Sequence, residues 1–272
     1  MNFIEKLDLA ILKSNSLLCV GLDSAFEKLP AHIKAKENAI FEFNKAIIDA
    51  TADVVCAYKP NSAFYEALGA KGIEQLKMTL DYINEKYPHL VTILDAKRAD
   101  IGSTNDGYVK FAFEYLKADA VTLHPYLGSE ALKPFLDRKD KGAIILCRTS
   151  NPGAGEFQDL SAGGEPLYRA VARKVAREWN KNGNCMLVVG ATYPDEMKEI
   201  RAIVGDMHLL VPGVGAQGGG VEKTVKAGIN SKRAGMVINS SRGIIFAGNG
   251  TDFAEKARAE AIKTRDEINK YR

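Results

Sequence analysis

Residues 90–104 read LVTILDAKRADIGST. The run Leu90–Leu94 carries no charge and passes straight into a charged segment. A short continuous run of this kind suits a strand buried on both faces, as in a parallel sheet covered by helices. Asp95 and Lys97 stand two apart at its end, so a regular strand would put both on one face. Chemistry gathered at the C-terminal end of an otherwise apolar strand is the arrangement an α/β barrel demands.

The same pattern recurs outward in both directions. Leu17–Asp23, Val54–Asn61, Leu90–Lys97, Ala120–Pro125, Gly142–Ser150, Cys185–Ala191, His208–Val214 and Gly235–Asn239 read as strands, each bounded by Gly, Pro, Asn or charged residues. Helical patterns lie between them, clearest in FEFNKAIIDATAD (41–53). Others are IEQLKMTLDYINEKY (73–87), DGYVKFAFEYLKA (106–118), YRAVARKVAREWNKN (168–182) and FAEKARAEAIKTRDEINKY (253–271). Eight strand–helix units with no break in composition predict one (β/α)8 barrel over 1–272, in preference to a doubly wound sheet. Asn151–Glu165, NPGAGEFQDLSAGGE, is the longest irregular stretch and is placed where a lid over the barrel mouth would belong.

Composition narrows the function class. With 46% hydrophobic and 26% charged residues, the chain fits a soluble enzyme and excludes collagen, coiled coil and wholesale disorder. No apolar run reaches the ~18 residues of a membrane span. The first sixteen residues, MNFIEKLDLAILKSNS, carry Glu5 and Asp8 and do not read as a signal peptide, so a cytoplasmic protein is expected. The net charge of +3 comes from scattered residues; it is too small to argue for nucleic acid, and a mildly basic enzyme for an anionic small molecule fits it equally well. Cys19, Cys56, Cys147 and Cys185 lie in or open apolar runs without a CxxC pair and are expected as buried thiols. His32, His89, His124 and His208 are scattered, and no catalytic metal is expected.

The strand ends assemble two candidate subsites. Asp23, Lys59, Asp95 and Lys97 at the ends of the first three strands, with Asp100 just beyond the third, form an alternating charge cluster, with Lys97 expected between Asp95 and Asp100. Its plain alternative is a salt-bridged rim, but so many charges at one level are costly to desolvate without a task. Across the mouth, residues 213–220 (GVGAQGGG) and 240–243 (SSRG) follow the seventh and eighth strands, where barrels often bind phosphate. Glycines admit backbone N–H groups to an anion, Gln217 adds an amide and Arg242 a forked cation. A dinucleotide fingerprint is rejected, since no acidic residue ends a strand about 20 residues further on.

LDAKRADIGST, with its D-x-K-x-x-D-I-x-x-T pattern, resembles orotidine 5′-phosphate decarboxylase, and CVGLDS, AYKPN, PGVGAQGG and SSRG resemble the family's other site segments in the same order. The resemblance covers essentially the whole chain, and its length and fifth loop are similar to the larger bacterial members. It implies cofactor-independent loss of CO2 from orotidine 5′-phosphate to give uridine 5′-phosphate (UMP), the last step of pyrimidine nucleotide synthesis. By position, Lys97 resembles the proton donor to C6, Asp95 and Asp100 the flanking carboxylates, and Lys59 the second cation. Asp100 would come from the neighbouring subunit of a homodimer. Asp23 and Thr104 resemble ribose ligands, and Ser150 resembles the pyrimidine contact, its alignment ambiguous by one residue. Gln217 and Arg242 resemble phosphate ligands, with backbone contacts at Gly215 and Ser241, where many members carry glycine. The other functions considered are a magnesium-dependent sugar-phosphate decarboxylase or synthase and a non-catalytic nucleotide-binding barrel.

Overall fold

The computed structural model describes residues 1–214 and 220–272. Its strands are β1 Leu18–Gly21, β2 Ala57–Lys59, β3 Val91–Arg98, β4 Ala120–Leu123, β5 Gly142–Arg148, β6 Cys185–Val189, β7 Leu209–Pro212 and β8 Met236–Ser240. Each pairs in parallel with its chain neighbours, and β1 pairs with β8 (Leu18↔Ile238) as well as β2 (Cys19↔Ala57), which closes an eight-stranded cylinder. The strands are buried along most of their length because side chains fill the cylinder on one face and helices cover the other. All eight expected strands are present; β3 and β8 keep their expected lengths, each displaced by one residue, and the other six are shorter than expected. Val54–Asn61, for example, pairs only over Ala57–Lys59, and Asn61 forms an isolated bridge with Asp95.

The predicted helices are α2 Ala39–Thr51, α3 Gly69–Lys86, α4 Gly102–Val109, α6 Leu167–Lys174 and α9 Phe253–Asn269. Two of them, α4 and α6, continue into wider π turns over Lys110–Tyr115 and Val175–Trp179. Also present are α1 Phe3–Ser14, α5 Gly128–Leu136, α7 Pro194–Val204 and α8 Val221–Gly228. The segment 151–165 is not the irregular stretch expected: it holds turns over Pro152–Ala154 and Gly155–Gln158, then an antiparallel pairing of Ser161–Ala162 with Glu165–Pro166.

Helix α1 closes the end of the barrel away from the charged strand ends. Asn2 Oδ1 accepts from Glu5 N at 2.9 Å while Glu5 Oε2 accepts from Asn2 N at 2.9 Å, a capping box that fixes the helix start. Lys6 Nζ meets Asp119 Oδ2 at 2.7 Å just before β4, and Asp8 Oδ1 meets His208 Nε2 at 2.8 Å just before β7. Phe3 is 1% exposed and lies against Gly142, where a Cβ would come within 2.5 Å of its ring. Phe3→Ala is therefore expected to cost ~3–5 kcal/mol of unfolding free energy by denaturant titration, with activity per folded molecule unchanged. A loss below ~1 kcal/mol would show that α1 is not part of the core.

The four cysteines are buried and unpaired, as expected. Among the described residues no helix is long and apolar enough to cross a membrane.

Candidate active site

Asp95 leaves β3 pointing into the mouth of the cylinder and is shared by two cations. Its Oδ2 takes Lys59 Nζ at 2.7 Å and its Oδ1 takes Lys97 Nζ at 2.6 Å. Lys59 is 4% exposed and Asp95 8%, whereas the Lys97 side chain is 49% exposed and faces the open part of the cavity. Burial disfavours the Asp95 carboxylate, but the charges and hydrogen bonds of Lys59 and Lys97 outweigh it and hold its pKa well below the ordinary carboxylate range. Burial likewise works against the Lys59 ammonium, yet attraction to Asp95 and Asp23 raises its pKa above the ordinary lysine value.

Asp95 and Lys97 do meet, but not by regular strand alternation. From Leu94 to Arg98, β3 takes four steps while its partner β4 takes two, from Val121 to Leu123. The excess forms a bulge in which Lys97 adopts φ 48°, a left-handed conformation unfavourable for a side chain with a Cβ. Thr122 on β4 pins it: its hydroxyl accepts from Lys97 N at 2.9 Å and donates to Asp95 Oδ1 at 2.9 Å. Asn61 Nδ2 adds a longer contact to Asp95 Oδ2 at 3.4 Å.

Within the subunit a carboxylate sits between two ammoniums, not Lys97 between Asp95 and Asp100. Asp100 turns to its own backbone, Oδ1 accepting from Ile101 N at 2.7 Å, while its N–H donates to Asn105 Oδ1 at 2.9 Å. Thr104 is exposed on the first turn of α4. Neither residue lines the cavity that holds Lys97.

That cavity has a volume of about 400 Å³. Lys59, Asp95, Lys97 and Thr122 form one side, Ser150, Asn151 and Gln158 another, and Leu146, Val188 and Leu210 give an apolar wall. Ser150 can lean in because residue 190 is glycine: a Cβ there would lie 2.8 Å from Ser150 Cβ. Asp23, two residues beyond β1, keeps a buried Oδ1 with no hydrogen-bond partner among the described residues. Ser241 donates from Oγ to Gly21 O at 3.1 Å and precedes Arg242, an exposed side chain opening the short turn Arg242–Ile245. Gly215 and Gln217 lie outside the described residues. Among the described residues no three His, Cys, Asp or Glu side chains are grouped to hold a metal ion.

Two contributors carried no sequence signal. Thr122 looks like any strand threonine, and Gln158 falls in a glycine-rich loop. Arg148, the last residue of β5, is a third residue without an assigned role: 3% exposed, it stacks 3.9 Å from the centre of the Tyr193 ring. Chemically, the cavity can grip a planar polar ring against an apolar wall and set an ammonium beside an atom that gains negative charge.

The family model described as "Orotidine 5'-phosphate decarboxylase / HUMPS family" matches residues 16–257. A protein of Azoarcus sp. (strain BH72) named orotidine 5′-phosphate decarboxylase is 53% identical over 272 residues, covering 100% of both chains. One of the same name from Cellvibrio japonicus (strain Ueda107) is 54% identical over 271 residues, 99% of this chain and 98% of that one. The solved structure of Leishmania donovani OMP decarboxylase superposes with a TM-score of 0.87 at 39% identity, covering 100% of this chain and 99% of that one.

Proposed function

This chain belongs to the orotidine 5′-phosphate decarboxylase / HUMPS family, and from that membership we propose that it is a cytoplasmic enzyme that converts orotidine 5′-phosphate to UMP and CO2. The observation that carries the proposal is the buried Asp95 carboxylate holding Lys59 and Lys97 at the end of β3 inside a ring-sized cavity. In this reaction the C6–carboxylate bond breaks, CO2 departs and the electron pair stays on C6 in the plane of the ring. The ring π-system delocalises that pair poorly. The protein's own electrostatics must then supply most of a barrier reduction on the order of 20 kcal/mol.

Lys97 is assigned the central role. Its ammonium stabilises charge as it develops at C6, then delivers a proton from Nζ to that carbon and is reprotonated from solvent. Asp95 aims Lys97, and Lys59 keeps Asp95 ionised. Ser150 contacts the ring, and Asp23 takes a ribose hydroxyl with its unpartnered oxygen. Arg242, Gln217 and the backbone at Gly215 and Ser241 hold the phosphate. Asp100 and Thr104 do not line their own subunit's cavity, which leaves them for a homodimer in which they complete the neighbour's site. Residues 1–272 then act as a single catalytic barrel. Binding the phosphate and ribose, remote from the bond that breaks, provides energy to fix the ring and close the segment 151–165.

The direct test follows the loss of orotate absorbance with EDTA present. Bleaching with UMP as product is the expected result. Bleaching abolished by the chelator, or UMP binding without turnover, would overturn the proposal. Arg242→Ala is expected to weaken UMP binding roughly 10–100-fold, the effect of losing a charged hydrogen bond, while leaving uridine affinity unchanged. Equal losses for both ligands would place the phosphate elsewhere.

A further inference from the structure

Gln158 lines the cavity and takes no part in the decarboxylation assigned to Lys97. Its amide has a fixed orientation. Oε1 accepts from Thr149 N at 2.9 Å and from Arg148 Nη1 at 3.3 Å, two groups that only donate, so the oxygen must face them. Nε2 donates one proton to Thr149 Oγ1 at 2.8 Å, and that hydroxyl in turn donates to Asn151 Oδ1 at 2.7 Å. An amide nitrogen carries two protons. The second Nε2–H has no acceptor among the described residues and belongs to a side chain in the cavity wall.

Arg148 holds this arrangement from below. It is a nearly buried cation, stacked on Tyr193 and bonded through Nη2 to Asp159 Oδ2 at 3.2 Å, so two of its partners, Gln158 and Asp159, come from the segment that covers the cavity. A buried cation whose partners lie on a surface connection is poorly explained as filler, since an apolar residue would pack there at lower desolvation cost. Gln158 follows β5, three strands away from β8, where Arg242 lies. The acceptor it can meet therefore belongs to the ring, not to the phosphate.

We propose that Gln158 is a substrate-recognising residue that presents a fixed N–H donor to a carbonyl oxygen of the bound pyrimidine, and that Arg148 is the positioning residue that sets this donor. The inference rests on the assignment of a pyrimidine nucleotide to this cavity. A donor locked toward the ring accepts a carbonyl and rejects an amino group in its place, so it also contributes to selection among pyrimidines.

The experiment measures dissociation constants for UMP, cytidine 5′-monophosphate and uridine with the wild-type protein, Gln158→Ala, Arg148→Lys and the double variant. Gln158→Ala is expected to weaken UMP and uridine about tenfold, the effect of one hydrogen bond. If cytidine 5′-monophosphate is unaffected, the contact is to the 4-carbonyl; if it falls equally, the contact is to the 2-carbonyl; both support the proposal. Unchanged UMP affinity, or a loss for UMP not shared by uridine, overturns it. Arg148→Lys is expected to weaken UMP similarly, with the double variant no worse than the poorer single one, because both changes remove the same donor. A lowered melting temperature with unchanged UMP affinity would reduce Arg148 to a structural role. Wild-type protein that binds none of the ligands overturns both this inference and the nucleotide assignment, whereas wild-type turnover with indifferent Gln158 variants overturns this inference alone.

Discussion

Lys97→Ala is expected to lower kcat by roughly 10⁴–10⁶-fold while UMP affinity stays within about an order of magnitude, since the ammonium is proposed both as charge stabiliser and as proton donor. The fold should survive. The Lys97 side chain is half exposed, and an ion pair in contact with water contributes little to stability. The change also relieves a left-handed backbone only slightly, because alanine keeps a Cβ at φ 48°. Single-turnover measurement of decarboxylation alongside UMP titration separates the two effects. Near-normal turnover would remove Lys97 from the chemistry, and equal loss of binding and turnover would make it a ligand contact only.

Asp95→Asn should damage both activity and fold. The substitution keeps the shape but leaves Lys59, 4% exposed, without the carboxylate that neutralises it. Removing one partner of a buried pair typically costs ~3–5 kcal/mol, or a melting temperature lower by roughly 6–20 °C in a protein of this size. Turnover is expected to fall by at least ~10³-fold, because Lys97 loses the oxygen that aims it. The wild-type contribution has a defined sign with pH. A carboxylate whose folded pKa is depressed stabilises the fold above its unfolded pKa of ~3.9, and loses that contribution as the pH falls through the lower folded value. The stability gap between wild type and Asp95→Asn should accordingly be full at neutral pH and narrow in strong acid. A pH-independent gap, or melting within ~1 °C of wild type at neutral pH, would contradict the role given to this carboxylate.

The barrel was legible because each strand is buried on both faces, and a doubly buried strand leaves a short unbroken apolar run such as Leu90–Leu94. Helix α1 was not. It exposes Leu9 and Leu12 while burying Phe3, Leu7 and Ile11, so apolar residues on two faces blur the helical stripe. The signal that remained was the Asn2–Glu5 capping box. Helix α5 was hidden by its nine-residue length and by Pro134 inside it. In the site, the charged residues could be found because ionisable groups at strand ends stand out against apolar runs. Thr122 could not, since its importance comes from the β3 bulge, a feature of register between two strands. Gln158 acquires its orientation only when the chain folds back to Thr149. Asp100 and Thr104 illustrate the opposite case: they belong to the same motif as Asp95 and Lys97, yet within one subunit they do not line the cavity, and the proposed homodimer is what would bring them to a site.

The most direct test is a crystal structure of the protein bound to UMP. The mechanism predicts Lys97 Nζ within ~3.5 Å of C6, with Asp95 retained on one side of the amine and the partner subunit's Asp100 on the other. A nucleotide bound with C6 facing away from Lys97, or an amine directed into bulk water, would contradict it.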